Sequence, residues 1–229
     1  MTDFDRYASN YDSVLNNGLR VTGEDKRYFA TARARWTARR LSDFGFPTNT
    51  VLDFGCGTGE SAPTLALELN ANKVVGVDAS WSSVEFARRT FGSTSVRFAH
   101  VSELRAQGAF DVVYLNGVFH HIPFAERTDV IAEIVSAMNP GGALAFWENN
   151  PYNPGTRWVM RRLPFDRDAV MLTPAETRRL LRSAHLEVEA TEYCFFFPRL
   201  LAALRPAEPW LRHVSLGGQY VAFARRPKR

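Results

Sequence analysis

The stretch Thr50-Val-Leu-Asp-Phe-Gly-Cys-Gly-Thr-Gly-Glu60 decides the fold, because a short apolar strand runs straight into glycines at 55, 57 and 59. Glycine at such a junction lets the backbone turn tightly and approach a ligand more closely than a Cβ would permit. Residues 58–70 follow with helix-compatible spacing of Leu65, Leu67 and Leu69 around alanines. A glycine-rich strand-to-helix turn implies a nucleotide-like cofactor. In the dinucleotide pattern G-x-G-x-x-G the pyrophosphate rests on the helix N-terminus. Here the third glycine position is Glu60, and Asp53 adds a carboxylate at the strand end. Two negative charges disfavour a diphosphate and suit a cofactor that brings a positive charge, such as an α-ammonium group.

Outward from the loop, strand-like and helix-like segments alternate, which means a parallel sheet. Strands are expected at 73–77, 95–100, 110–115, 143–148, 186–195 and 219–224. Helices are expected at 81–90, at 125–138 up to a stop at Asn139-Pro140-Gly141-Gly142, and at 175–184 behind a Thr173-Pro174-Ala175-Glu176 capping box. No internal repeat is present. Residues 1–48, with a helix around 25–41, read as an N-terminal cap on one domain spanning 1–229. Residues 149–172 and 196–218 read as long insertions after the fifth and sixth strands.

Composition fits this. With 229 residues, 45% apolar and 23% charged, 15 Gly and 12 Pro, the chain is globular and neither disordered nor collagenous. Cys56 and Cys194 form no disulfide framework, the opening Met-Thr-Asp-Phe-Asp-Arg is no secretory signal, and no apolar run nears the roughly 18 residues of a membrane span, so a cytoplasmic protein is expected. The formal charge is +4, and Arg33, Arg35, Arg39 and Arg40, like Arg178, Arg179 and Arg182, read as solvated helix faces. No nucleic-acid partner is expected from them. His100, His120, His121, His185 and His213 show no metal-ligand spacing, so no metal is expected.

The segment Asp53 to Glu60 resembles motif I of the class I S-adenosylmethionine-dependent methyltransferases, an acidic residue followed by G-x-G-x-G. Val74-Val75-Gly76-Val77-Asp78 closes the second strand where that family has its ribose-binding acid. Phe110-Asp111-Val112-Val113, leading into Asn116-Gly117-Val118-Phe119-His120-His121-Ile122, and Asn139-Pro140-Gly141-Gly142 extend the resemblance over roughly residues 50–148. The resemblance implies a Rossmann-like α/β fold with a seven-stranded, mostly parallel sheet, helices on both faces and a helical cap. It implies S-adenosylmethionine as cofactor, demethylated in the product. The implied cofactor residues are Asp53, Gly55, Cys56, Gly57, Thr58, Gly59, Asp78, Ala79, His100, Val101, Asn116, Gly117 and Val118. One departure stands out: the family often has an acid for the adenine amino group where this chain has His100, so a backbone carbonyl or Ser102 could substitute, with Val101 packing on the ring.

Methyl transfer from a sulfonium is an in-line displacement that mainly needs alignment and exclusion of water, and a base only for some acceptors. His120, His121 and Glu148 are the candidates for catalysis. The two insertions and the cap carry Tyr11, Tyr152 and Trp158 as candidate substrate contacts. The insertion segments also hold Trp147, Phe165, Phe195, Phe196, Phe197 and Trp210 beside Arg157, Arg161, Arg162, Arg199 and Arg205. The expected acceptor is a small, mostly apolar molecule carrying an anionic group. Alternatives stay open: the aromatics complete the core, or Leu200, Leu201, Leu204, Trp210 and Leu211 touch a membrane surface. An RNA methyltransferase is the second enzymatic reading, although Asn116-Gly117-Val118-Phe119 lacks the Pro-Pro-aromatic motif of base methylation. A noncatalytic cofactor-binding partner protein is the third.

Overall fold

The computed structural model describes residues 22–162 and 169–228. Tyr11 and Phe165, named above, lie outside the described residues. Seven strands, β1 (Thr50–Phe54), β2 (Lys73–Asp78), β3 (Val96–His100), β4 (Phe110–Asn116), β5 (Met138–Asn149), β6 (Glu187–Cys194) and β7 (Gln219–Arg225), form one sheet in the order β3-β2-β1-β4-β5-β7-β6. β7 runs antiparallel to both β5 and β6, and the other pairings are parallel. The strand order reverses between β1 and β4, so a crevice opens at the carboxyl ends of those two strands.

Side chains alternate across β1, and this parity sorts the core into two layers. Leu52 and Phe54 join Val75, Val113, Leu144 and Ile131 on one face. Val51 joins Val74, Val112, Tyr114, Trp147 and Phe223 on the other. Asp53 has the parity of Val51 and stands opposite Tyr114 in the register, so it faces the second layer. That layer is roofed by α1 (Lys26–Asp43), α2 (Ser61–Glu68) and α3 (Trp81–Phe91). The first layer is covered by α4 (Arg127–Ser136) and α6 (Pro174–Ser183); α5 (Pro154–Met160) follows β5 in chain order, and α7 (Glu208–Leu211) precedes β7.

Asp25 caps α1 by accepting from the Tyr28 N–H at 2.8 Å, and Ala30, Arg33, Ala34, Thr37 and Leu41 form its buried stripe. The stripe carries a guanidinium, so the reading of Arg33 as solvated is wrong: only 7% of the residue is exposed. Arg40 is not a free surface charge either, since its Nε donates to both oxygens of the buried Glu192 at 2.9 and 3.1 Å. Trp147 is corrected in the same way. It is fully buried in β5, and its indole N–H donates to Thr37 Oγ1 at 3.0 Å, so it belongs to the core and not to a cover.

Two boundaries differ from expectation. α2 begins at Ser61, because Thr58, Gly59 and Glu60 are spent on the turn. The helix expected to run to Met138 ends at Ser136, and Asn139-Pro140-Gly141-Gly142 lies inside β5. The Phe110 N–H takes the Ala137 carbonyl at 2.9 Å and Met138 pairs with Phe110, so the chain is already in the sheet. The partner register then jumps from Met138 to Ala143, a bulge that absorbs the proline and glycines. By contrast α6 carries the expected capping box of Thr173 and Glu176. No helix among the described residues is long and apolar enough to cross a membrane.

Candidate active site

The glycine loop is closed on itself. The Gly55 and Cys56 N–H groups both donate to the Val77 carbonyl, at 2.8 and 3.0 Å, and Gly59 N–H donates to Cys56 O at 3.0 Å. Gly57 N–H donates to Asp78 Oδ2 at 2.8 Å. These four donors are used inside the protein, so they form no cradle for a phosphate. The charge argument from Glu60 is weakened, since that carboxylate is paired with Lys26 at 2.9 Å. Gly55 and Gly59 have positive φ, and a Cβ on them would strike Val118 at 2.4 Å and Ala87 at 2.6 Å. A Cβ on Gly57 would meet nothing within 4 Å. Its open side is where a ligand can lie against bare backbone.

Asp53 sits behind that opening. It is buried, and its Oδ2 has no hydrogen-bond partner among the described residues. Burial, reinforced by the neighbouring Asp78 charge and opposed by Arg33, raises its pKa from 3.8 to about 7. An unsatisfied buried carboxyl oxygen is costly unless a ligand donor completes it, and an α-ammonium group does so. Asn116 Oδ1 is likewise buried without a partner. Asp78 accepts from Gly57 N–H and, at 2.9 Å, from Ser80 N–H, which leaves lone pairs for ribose hydroxyls. These residues fit S-adenosylmethionine.

The raised pKa of Asp53 has a stability consequence. Between about pH 4 and pH 7 the folded protein holds a proton that the unfolded chain has released, so stability falls as pH rises through that window, by up to ~4 kcal/mol. Denaturation midpoints of the ligand-free wild type and Asp53→Asn at pH 5 and pH 7.5 check this. The variant should be the more stable of the two at pH 7.5 and should lose the Asp53 contribution to the slope; parallel curves would remove the assignment.

Three of the predicted cofactor residues have partners within the protein. Burial pushes the Cys56 thiol well up, its N–H is used, and its sulfur packs beside Gly76, which makes it filler and not a reactive group. Thr58 Oγ1 accepts from Lys26 Nζ at 3.4 Å. His100 serves as a cap: Nε2 lies 3.0 Å from the Ala79 carbonyl, and Nδ1 is 3.3 Å from Ser102 N–H and 2.8 Å from Ser102 Oγ. A carbonyl only accepts, so Nε2 carries the proton and Nδ1 is already occupied. The ring stacks on Trp81 at 4.1 Å.

Beside His120 the fold forms a half-open cavity of about 380 Å³. Tyr28, Phe29 and Arg33 of α1 form one wall, Asn116, Gly117, His120 and His121 the floor, and Trp158 with Phe195 to Phe197 the cover. Both long insertions contribute to this lining. Tyr152 does not line it, and of the insertion arginines only Arg205 does. Trp210 points away, 82% exposed, and Arg162 lies over the Trp158 ring at 3.6 Å.

His120 and Glu148 meet at the floor. His120 Nδ1 donates to Glu148 Oε2 at 2.6 Å, and Phe119 N–H donates to Oε1 at 2.9 Å. Glu148 is fully buried with both oxygens engaged inside the protein. Gly117 has φ +66, and a Cβ there would lie in van der Waals contact with His120 Cε1 at 3.4 Å. The His121 ring lies 4.1 Å from that of His120 and also borders the cavity. A proton on Nδ1 makes Nε2 the basic nitrogen.

Three contributors escaped the sequence reading: Arg33, Lys26 and Glu208. The Glu208 carboxylate accepts from the N–H groups of Phe195, Phe196 and Phe197 at 3.2, 3.0 and 3.1 Å. It thereby holds the aromatic cover, whose first residue has φ +65. Only the spacing of an acid soon after a proline-broken segment hinted at it.

Residues 51–142 match the methyltransferase domain family. The chain is 27% identical over 146 residues to trans-aconitate 2-methyltransferase of Azoarcus sp., covering 62% of this chain and 57% of that one. The corresponding Escherichia coli O157:H7 protein is 24% identical over 142 residues, covering 62% and 56%. The match thus spans little more than half the length of those relatives. A SAM-dependent methyltransferase from Archaeoglobus fulgidus superposes with a TM-score of 0.64 at 17% identity, over 88% of this chain and 95% of that one. Geranyl diphosphate C-methyltransferase from Streptomyces coelicolor gives 0.57 at 17% identity, over 83% and 75%. Fold and loop together define a Rossmann-like methyltransferase architecture. The chain thus carries a methyltransferase-domain match over residues 51–142 and has the fold of the class I S-adenosylmethionine-dependent methyltransferases.

Proposed function

We propose that this protein transfers a methyl group from S-adenosylmethionine to a small molecule seated in the 380 Å³ cavity, with His120 as the proton acceptor. The observation that carries this reading is His120 at the floor of that cavity, held by Glu148 behind it, near the loop whose bare backbone at Gly57 and unsatisfied Asp53 oxygen suit the donor. When bound, S-adenosylmethionine supplies a methyl carbon on a sulfonium that leaves as a neutral thioether. Asp53 would hold its ammonium end and Asp78 its ribose, and Asn116 Oδ1 would offer a further acceptor. The aromatic cover and α1 exclude water and align the acceptor. His120 Nε2 takes the proton of a hydroxyl acceptor as the new bond forms, and Glu148 stabilises the imidazolium that results. The cavity is at the small end of ligand sites, which supports a metabolite-sized acceptor over a nucleic acid. The trans-aconitate methyltransferase relatives support the same class.

The test is incubation with methyl-labelled S-adenosylmethionine and a panel of small phenols, alcohols and carboxylic acids that includes trans-aconitate. Acceptor-dependent label transfer is the expected result. Tight donor binding with no acceptor labelled would overturn turnover, and no donor binding would overturn the whole reading. Glu148→Gln adds a second check. Its amide still accepts from Phe119 N–H but donates to His120 Nδ1, which forces the proton onto Nε2. The expected result is a kcat about 10²- to 10³-fold lower with KM unchanged and donor binding intact.

A further inference from the structure

We infer that the two insertions together form a face that docks on an anionic lipid surface. The second insertion carries most of it. No residue of the 3₁₀ segment Arg199–Ala207 or of α7 is buried, so the leucines there build no part of the core. Leu200 is 92% exposed, Leu201 and Leu204 are exposed beside it, and Trp210, Val214 and Leu216 are exposed further along. The first insertion adds Tyr152 and Trp158, also exposed. The two insertions are tied together: Asn150 Nδ2 donates to the carbonyls of Ser215 and Gly217 at 3.0 and 2.7 Å, and Asn153 Nδ2 donates to that of Leu216 at 2.6 Å. Large apolar side chains gathered on one exposed region mark a contact site.

Charge selects the occupant. Residues 149–162 contain no acid, and residues 195–218 contain Glu208 alone, whose carboxylate is turned to the N–H groups of Phe195, Phe196 and Phe197. Arg157, Arg161, Arg199 and His213 are exposed, and the three arginines have no carboxylate partner among the described residues. Leucine and tryptophan beside such arginines, with the one acid turned inward, suit a membrane interface. The leucines enter the acyl boundary, tryptophan and tyrosine sit at headgroup level, and the arginines meet anionic headgroups. A second copy of this chain is a poorer occupant, because a self-complementary contact sets these arginines against their own counterparts. Single-stranded nucleic acid is poorer too, since aliphatic side chains gain little from phosphates or stacked bases. Arg199–Ala207 is kinked at Leu201 and contains Pro206, so it can lie on a bilayer and not cross one. Trp158 and Phe196 to Pro198 line the cavity, so the docked face borders its rim.

The test is flotation of the full chain with vesicles of phosphatidylcholine alone and of phosphatidylcholine mixed with phosphatidylglycerol. Wild type is compared with two double variants, Leu200→Ser with Trp210→Ser, and Arg161→Gln with Arg199→Gln. None of these four side chains lines the cavity, and thermal melts confirm that each variant is folded. The expected result is wild-type binding roughly tenfold stronger on the anionic vesicles and weakened by salt, with each double variant losing roughly tenfold. Undiminished binding by either double variant overturns the proposal, as does equal binding of the wild type to both vesicle types or to neither. A wild-type dimer that becomes a monomer in the Leu200 and Trp210 variant assigns the face to a second copy. Tighter retention on single-stranded RNA than on anionic vesicles assigns it to nucleic acid. Either result overturns the proposal.

Discussion

His120→Asn is expected to lower kcat by about 10²- to 10⁴-fold while the protein stays folded and binds the donor as before. Asparagine is chosen because its amide can place an N–H where Nδ1 stands, 2.6 Å from Glu148 Oε2, and so keeps that buried carboxylate satisfied. Alanine would leave the carboxylate buried without its partner, and a loss of stability of ~3–5 kcal/mol would obscure the kinetics. What asparagine removes is the basic nitrogen on the cavity side. Turnover of a hydroxyl acceptor should therefore collapse, with little change in KM, since the proton is transferred only as the methyl group moves. Steady-state rates with the acceptor found in the labelling experiment provide the check. A loss under tenfold would show that the acceptor arrives already ionised, and His120 would then be a wall and not a base.

Gly57→Ala is expected to weaken donor binding on the order of 100-fold, or ~2.7 kcal/mol, in a protein that still folds, whereas Gly59→Ala should fail to fold stably. Both residues have positive φ, +53 and +87, where an alanine costs roughly 1–2 kcal/mol. Their surroundings differ. At Gly59 the added methyl would lie 2.6 Å from Ala87 Cβ and 2.8 Å from the Phe98 ring, between α3 and β3, so packed elements must part. At Gly57 it enters open space, and the only thing it can obstruct is a ligand against the loop. Thermal melts of the two variants, with titration of S-adenosylhomocysteine into the folded one, separate the effects. Wild-type affinity in Gly57→Ala would mean that the donor does not touch that backbone.

The contrast between these two glycines was invisible in the sequence, where 55, 57 and 59 look alike. The loop itself was legible, because a strand ending in alternating glycines is a local pattern and β1, β2 and β4 are short apolar runs with turn residues at their ends. The capping box of Thr173 and Glu176 was legible for the same reason, being four residues long. Asn139-Pro140-Gly141-Gly142 misled because its residues favour a break in isolation, while Phe110 and Arg226 across the sheet draw them into β5.

The residues misjudged share one property: their partners are far away in the chain. Arg33 meets Tyr114 and Gln219 at separations of 81 and 186 residues, Arg40 meets Glu192 at 152, and Trp147 meets Thr37 at 110. On an arginine-rich helix no local spacing tells which guanidinium turns inward. His120 and Glu148 could be named as candidates from their places after β4 and β5, but that one orients the other follows only from neighbouring strands in parallel register. The sequence by itself determined the strand–glycine–helix grammar and the acid at the end of β2, since these depend on backbone freedom and nearest neighbours. Tertiary structure alone decided which charges are paired, which has no carboxylate partner among the described residues, and where a methyl group would find empty space, since those depend on burial and on contacts between distant segments.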